Sequence, residues 1–180
     1  MLKQRGLTLV ELMITIAIAA ILITIGGPGI SSLLQQNRIV ADINDLSAIA
    51  RIARFTAVDQ STPVTLCPTT DYINCTTDWS KSKMAFIDDN NNGEHESAEM
   101  MLGTTEKINS NNTLSGISGT LTFMADGSIS SAATIKICPQ SGDVKQASAL
   151  ILSLFGRIAV ANDSDGDGIK EDGNDSNLTC

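Results

Sequence analysis

A long apolar run near the N-terminus constrains this chain more than any other feature. Between Leu7 and Ile25 the only polar residues are Thr8, Glu11, Thr15 and Thr24. Nineteen helical residues reach roughly 28 Å at about 1.5 Å each, close to the thickness of a bilayer core. Lys3 and Arg5 precede the run. Positive charge stays on the cytoplasmic side, so the C-terminal end of the segment is expected outside. A cleaved secretory signal needs a small-residue site after the run, and Ile25-Gly26-Gly27-Pro28-Gly29 matches that poorly. A plain anchor fits the length but leaves Glu11 unexplained. A carboxylate at mid-membrane costs about 2.5–3.5 kcal/mol, and somewhat less near the interface. Glu11 therefore calls for a partner.

The residues around it, Arg5-Gly6-Leu7-Thr8-Leu9-Val10-Glu11-Leu12, resemble the class III leader junction of type IV pilins and type II secretion pseudopilins. The resemblance implies that a membrane-embedded aspartyl peptidase, the prepilin peptidase, cuts between Gly6 and Leu7. Residues 1–6 are then a leader, and the amine of Leu7 is methylated. Leu7 stands where phenylalanine is commoner, but cleavage depends mainly on the glycine. The cut lies before the apolar run, so the helix is kept. Loss of Lys3 and Arg5 leaves 10 basic against 20 acidic side chains. The resemblance also gives Glu11 its partner, the cationic N-terminal amine of a neighbouring subunit. An ion pair in low dielectric gains far more than one in water, and an unpaired carboxylate there is heavily penalised.

Beyond the run the pattern stays helical. Ile30, Leu33, Leu34, Ile43, Leu46, Ile49, Ala50, Ala53 and Ala57 recur mostly at three- and four-residue steps, with Gln35, Asn37, Arg38, Asp42, Asp45, Arg51 and Arg54 on much of the other face. We read residues 7–28 as a membrane and filament-core helix and 29–60 as an amphipathic helix laid along a globular domain. Gly26, Gly27, Pro28 and Gly29 interrupt the two, because Pro28 lacks a backbone donor and each glycine weakens a helix by about 1 kcal/mol relative to alanine.

From Gln60 the composition turns to Ser, Thr, Asn, Gly and β-branched residues. Strands are expected at Pro63–Cys67, Met84–Asp88, Thr120–Met124, Thr134–Cys138 and Leu150–Phe155, the last running on toward Val160. The fold class is α+β, one long N-terminal helix packed on an antiparallel β-sheet domain over residues 61–180. Trp79 and Phe86 read as core. In order along the chain, Val64-Thr65-Leu66-Cys67, Trp79, Phe86-Ile87-Asp88, Glu99-Met100-Met101-Leu102, Phe123-Met124-Ala125-Asp126-Gly127 and Phe155-Gly156-Arg157-Ile158 resemble the GspH/FimT/FimU subgroup of minor pilins and minor pseudopilins. Ser80-Lys81-Ser82-Lys83-Met84 departs from it, where a Gly-aromatic pair is common.

Four cysteines allow three pairings. Cys67 with Cys75 closes a short loop, and Cys138 with Cys180 ties down the acidic tail, residues 163–180. A periplasmic location lets disulfides persist, so two bonds and no free thiol are expected.

Two segments look like calcium loops. Asp163-Ser164-Asp165-Gly166-Asp167-Gly168 places three carboxylates at alternate positions before a glycine, an arrangement that converges oxygens on a hard cation. The twelfth position is Asn174 rather than glutamate, and Asp172 or Asp175 can substitute. The candidate calcium ligands are therefore Asp163, Asp165, Asp167 and Asp172, and no cofactor is required. Asp88-Asp89-Asn90-Asn91-Asn92-Gly93, followed by Glu99, matches the EF-hand loop literally. A strand precedes it, however, and Asn-Gly signals a hairpin. The hairpin is preferred, with His95 exposed on it.

The net charge of -8 and the aromatic content of 3% disfavour a nucleic-acid partner. A single histidine and no nucleophile motif leave no catalytic site to assign, and the expectation is a non-enzyme. The resemblance implies a structural minor pilin, FimU-like in preference, which joins other pilins through its N-terminal helix. It waits in the inner membrane as a single-pass protein with a periplasmic domain, and joins a pilus in a priming or tip complex. The alternative is a minor pseudopilin in the pseudopilus of a type II secretion system. An alternative of another class is a membrane-anchored periplasmic calcium-binding module, which would keep Met1.

Overall fold

The structure is a computed structural model that describes residues 8–180; the Gly6–Leu7 junction and the leader lie outside the described residues. One helix, α1 (Leu9–Gln60), opens the chain, and eight strands follow. The secondary structure stays α-helical through Gly26–Gly29, so the expected interruption does not end the helix. It stops at Gln60, where Ser61 takes a left-handed conformation (φ 52). The Thr62 N–H then donates to the Ala57 carbonyl, and Pro63 prevents continuation.

The part of α1 up to Gln35 and the segment Gln36–Cys180 form two separate compact units. In the second unit, Ile39, Ile43, Leu46, Ile49, Ala50, Ala53 and Ala57 are buried, at the spacing that places them on one helical face. Ile30, Leu33 and Leu34, expected to continue that face, are exposed. The packed face begins at Ile39.

The strands are β1 (Val64–Thr69), β2 (Ser82–Ile87), β3 (Met101–Thr105), β4 (Asn112–Ser115), β5 (Leu121–Phe123), β6 (Ala133–Pro139), β7 (Ser148–Leu152) and β8 (Ile158–Val160). They form two four-stranded antiparallel sheets, ordered β3-β2-β1-β5 and β4-β6-β7-β8, in keeping with the expected α+β class. The expected final strand is a hairpin instead. Leu150 pairs with Val160 and Leu152 with Ile158, while Ser153–Arg157 turns between them, leaving Phe155 87% exposed.

Alternation decides which side each strand residue serves. Val64, Leu66, Leu121 and Phe123 of the first sheet meet Ile135, Ile137, Leu150 and Leu152 of the second in one cluster with α1. Trp79 joins that core, its indole N–H donating to the Gly119 carbonyl at 2.8 Å. On the opposite side of the first sheet, Cys67, Met84 and Phe86 form a second cluster. Behind the second sheet, Cys138, Ala147 and Ala149 pack with Ala161 and Leu178, so the chain's last segment covers a sheet face. Lys83 is also buried, at 1% exposure in β2, which the sequence pattern did not anticipate.

Candidate functional site

The start of α1 is built from the residues that looked anomalous in the sequence. Thr8 caps the helix: its Oγ1 accepts the Glu11 N–H at 3.2 Å and its carbonyl accepts the Leu12 N–H at 3.1 Å. Thr15 and Thr24 each turn their hydroxyl back onto the carbonyl three residues earlier, Leu12 at 2.8 Å and Ile21 at 2.9 Å. These local bonds satisfy the hydroxyls in a medium without water. Around them Leu9, Val10, Met13, Ile16, Leu22 and Ile23 are exposed. Among the described residues this is the one helix long and apolar enough to cross a bilayer. Glu11 is the remaining polar side chain of the run, and among the described residues its carboxylate has no hydrogen-bond or ion-pair partner. Gly6 and Leu7, the residues expected to supply the cut and the amine, lie outside the described residues.

Both disulfides form with the expected partners. Cys67–Cys75 has Cα atoms 5.6 Å apart and Cys138–Cys180 5.8 Å, and no cysteine among the described residues is free. The first closes a loop beside the β1–β2 pair, and the second holds the chain's last residue to β6.

The acidic tail folds as a loop anchored at both ends. The Ala161 N–H donates to Ala149, Glu171 to the Asn162 carbonyl and Leu178 to the Lys170 carbonyl. Gly166 and Gly168, both with positive φ (82 and 88), let the backbone wrap so that their N–H groups donate to the two oxygens of Asp163, at 2.7 and 2.9 Å. One carboxylate oxygen each from Asp163, Asp165 and Glu171 lies within 4.8 Å of the others. Of the four expected ligands the structure thus brings together Asp163 and Asp165, but not Asp167 or Asp172. Asp167 accepts the Ile169 N–H and the Asn177 amide, the latter at 2.7 Å. Asp172 accepts the N–H groups of Asn174 and Ser176. Glu171, which pattern matching passed over, takes their place.

The second acidic loop, residues 88–100, joins the antiparallel pair β2 and β3, as a hairpin connection should. Its carboxylates serve the protein itself. Asp88, fully buried, accepts the Thr65 hydroxyl at 2.7 Å and the N–H groups of Asn92 and Gly93, both at 2.9 Å. Glu99 accepts from Asp89 and Glu96 N–H groups, and Glu96 Oε1 from the Asn92 and Asn90 amides. The Asn92 bond above all, then the Glu99 and Asn90 side chains, holds the Glu96 carboxyl below its ordinary pKa. Burial, with the neighbouring Glu96 and Asp88 charges, pushes Glu99 up. His95 is not exposed as expected. Its ring lies against Phe86 with centroids 5.0 Å apart, and both nitrogens are buried without hydrogen-bond partners. Phe86 faces outward from the sheet and needs a cover, and the loop brings the imidazole over it.

A groove of about 590 Å³ is lined by Arg51, Arg54, Phe55, Val58, Phe155, Arg157 and Ile158. Arg54 Nε donates to the Gly127 carbonyl at 3.1 Å and so ties α1 to the turn after β5.

Comparison with known proteins gives consistent results. The model of the prokaryotic N-terminal methylation motif matches residues 1–27, and that of type II transport protein GspH matches residues 42–156. No curated protein matches the sequence. The fold is similar to that of the type IV minor pilin FimU of Pseudomonas aeruginosa PAO1. One crystal form is 21% identical, covers 72% of this chain and 92% of that one, and has a TM-score of 0.58. A second form is 23% identical, covers 68% and 91%, and has a TM-score of 0.53. The minor pseudopilin EpsH from the type 2 secretion system of Vibrio cholerae is 10% identical, covers 68% and 95%, and has a TM-score of 0.50.

Proposed function

The chain belongs to the GspH family, whose members assemble with other pilins or pseudopilins, and we propose that it is a structural minor pilin of a type IV pilus. The observation that carries this reading is the unequal treatment of polar groups along the apolar run at the start of α1. The three threonine side chains are satisfied within the helix, and Glu11 is not. A single carboxylate left unpaired in an otherwise self-sufficient apolar helix needs an intermolecular cation. Prepilin peptidase cleavage between Gly6 and Leu7 supplies one, the methylated amine of an adjoining subunit. The pair sets the register of helix against helix. Before assembly the apolar segment holds the protein in the inner membrane, with the disulfide-bonded domain on the periplasmic side. The likeness of fold to FimU supports the pilus, and an assembly-priming or tip position fits a subunit of this class. The second reading, a minor pseudopilin, rests on the family model's own description and on the likeness to EpsH.

The test is Glu11→Ala. Removing one partner of a buried ion pair costs about 3–5 kcal/mol, enough to exclude the subunit from a filament. The variant should insert in the membrane and form both disulfides at wild-type levels, yet be lost from sheared pili. Normal incorporation would overturn the assignment of Glu11. Recovery of the wild-type chain in secretion pseudopili and not in pili would select the second reading. An N-terminal mass showing retained Met1 would exclude both readings.

A further inference from the structure

We propose that the tail loop is a calcium site whose protein carboxylates are Asp163, Asp165 and Glu171. Three anionic side chains converge to within 4.8 Å, and among the described residues the sole ion pair is elsewhere, between Lys81 and Asp78. Convergence alone is common on acidic surfaces; here it coincides with a buried, unsatisfied carboxylate oxygen on Glu171. Glu171 is only 6% exposed; its Oε2 accepts the Ser164 N–H at 2.9 Å, while its Oε1 is buried with no hydrogen-bond partner. A buried carboxylate oxygen without a donor forfeits its hydration for nothing, so the stable arrangement includes a cation beside it.

The donor set selects the ion. All three side chains offer hard oxygens, with no histidine or cysteine among them, which favours calcium over zinc or copper. Carbonyls and water would complete the six to eight oxygens that calcium takes. Magnesium demands a stricter octahedron and gives up water reluctantly, so a loop of this kind binds it less well. Asp163 is pre-positioned by the Gly166 and Gly168 N–H groups, and Glu171 by its backbone bond to Asn162. The ligands therefore need little ordering on binding. Bound calcium would fix the segment that carries Leu178 and Cys180 over the second sheet.

The 88–100 loop matches the calcium motif better and also holds a buried carboxylate oxygen without a partner, Glu96 Oε2, but among the described residues three carboxylates converge in the tail loop and not there. The two loops can be told apart.

The experiment uses the full chain in detergent, stripped with EGTA, and follows calcium by titration calorimetry and thermal melting. The expected result is one calcium per chain, with affinity in the ~0.1–1 mM range of extracellular modules or tighter, and a melting point raised by calcium but not by equal magnesium. Glu171→Gln and the exposed Asp165→Asn should each weaken binding by about 10-fold or more, while Glu96→Gln in the other loop leaves it unchanged. Should Glu171→Gln fail to fold, Asp165→Asn still decides. No binding at millimolar calcium overturns the proposal. So does binding that survives Asp165→Asn, or that Glu96→Gln abolishes.

Discussion

The two parts of α1 share one secondary structure and obey opposite energetic rules. From Thr8 to Gln35 the apolar residues whose side chains are described are exposed, and the groups that need explaining are polar: three threonines bonded locally and Glu11 left over. From Gln36 to Gln60 one face is buried to near completion and, apart from Ser47, the polar residues are not buried. In the first part the solvent is lipid or a neighbouring helix, so stability is a matter of satisfying polar atoms. In the second it is water, so stability is a matter of hiding apolar ones. Helicity alone therefore says nothing about what a residue contributes.

Matched substitutions can break that comparison. Leu46 is buried in the main core, and Leu46→Ala should lower the domain's unfolding free energy by about 2–5 kcal/mol, read from denaturant melts. Beside the second part, β2 also carries a charge into the interior, at Lys83. Asp42, with Asp78 and Asp45, partly offsets the cost of burying Lys83, whose pKa burial still drags down from 10.5 to about 8. Below about pH 8 the lysine is protonated in both states and the penalty is carried in full. Between about 8 and 10.5 the unfolded chain holds the proton and the folded one does not, so stability rises with pH through that window. Lys83→Met should be more stable than wild type at pH 7, by about 1–3 kcal/mol, with the difference shrinking toward pH 10. A constant difference across that range would show that Lys83 is not desolvated. The smallest effect is expected in the first part: Ile16→Ala should leave the melting of the disulfide-bonded domain unchanged within about 0.5 kcal/mol. A loss as large as that of Leu46→Ala would mean that the two parts are energetically one.

Most of the architecture was legible because it rests on local signals. The apolar run, the three- and four-residue steps after it and the strands containing Val64–Cys67 and Thr134–Cys138 were all visible as periodicity. Strands β3 and β4 were not, since Met101–Thr105 is half-exposed and interrupted by Gly103, and Asn112–Ser115 has a single apolar residue. The hairpin at Ser153–Arg157 was missed because Leu154 and Phe155 look like core but stand exposed. Motif matching by itself does not rank the carboxylates of the acidic loops, for a related reason. It counts carboxylates at intervals and cannot see which ones distant side chains have already occupied, as the Asn177 amide occupies Asp167 and the Thr65 hydroxyl occupies Asp88.

The amino-acid order by itself determined the membrane-length helix, the anomalous carboxylate at the fifth residue after the expected cleavage point, the α+β class and the family, all of which depend on near neighbours along the chain. Tertiary structure decided which of the three cysteine pairings forms, where the buried face of α1 begins, that Lys83 lies inside and the His95 ring nitrogens are covered, and that Glu171 rather than Asp167 or Asp172 turns toward Asp163. These outcomes depend on groups distant in sequence competing for the same donors and the same space, which spacing along one strand of chain does not encode.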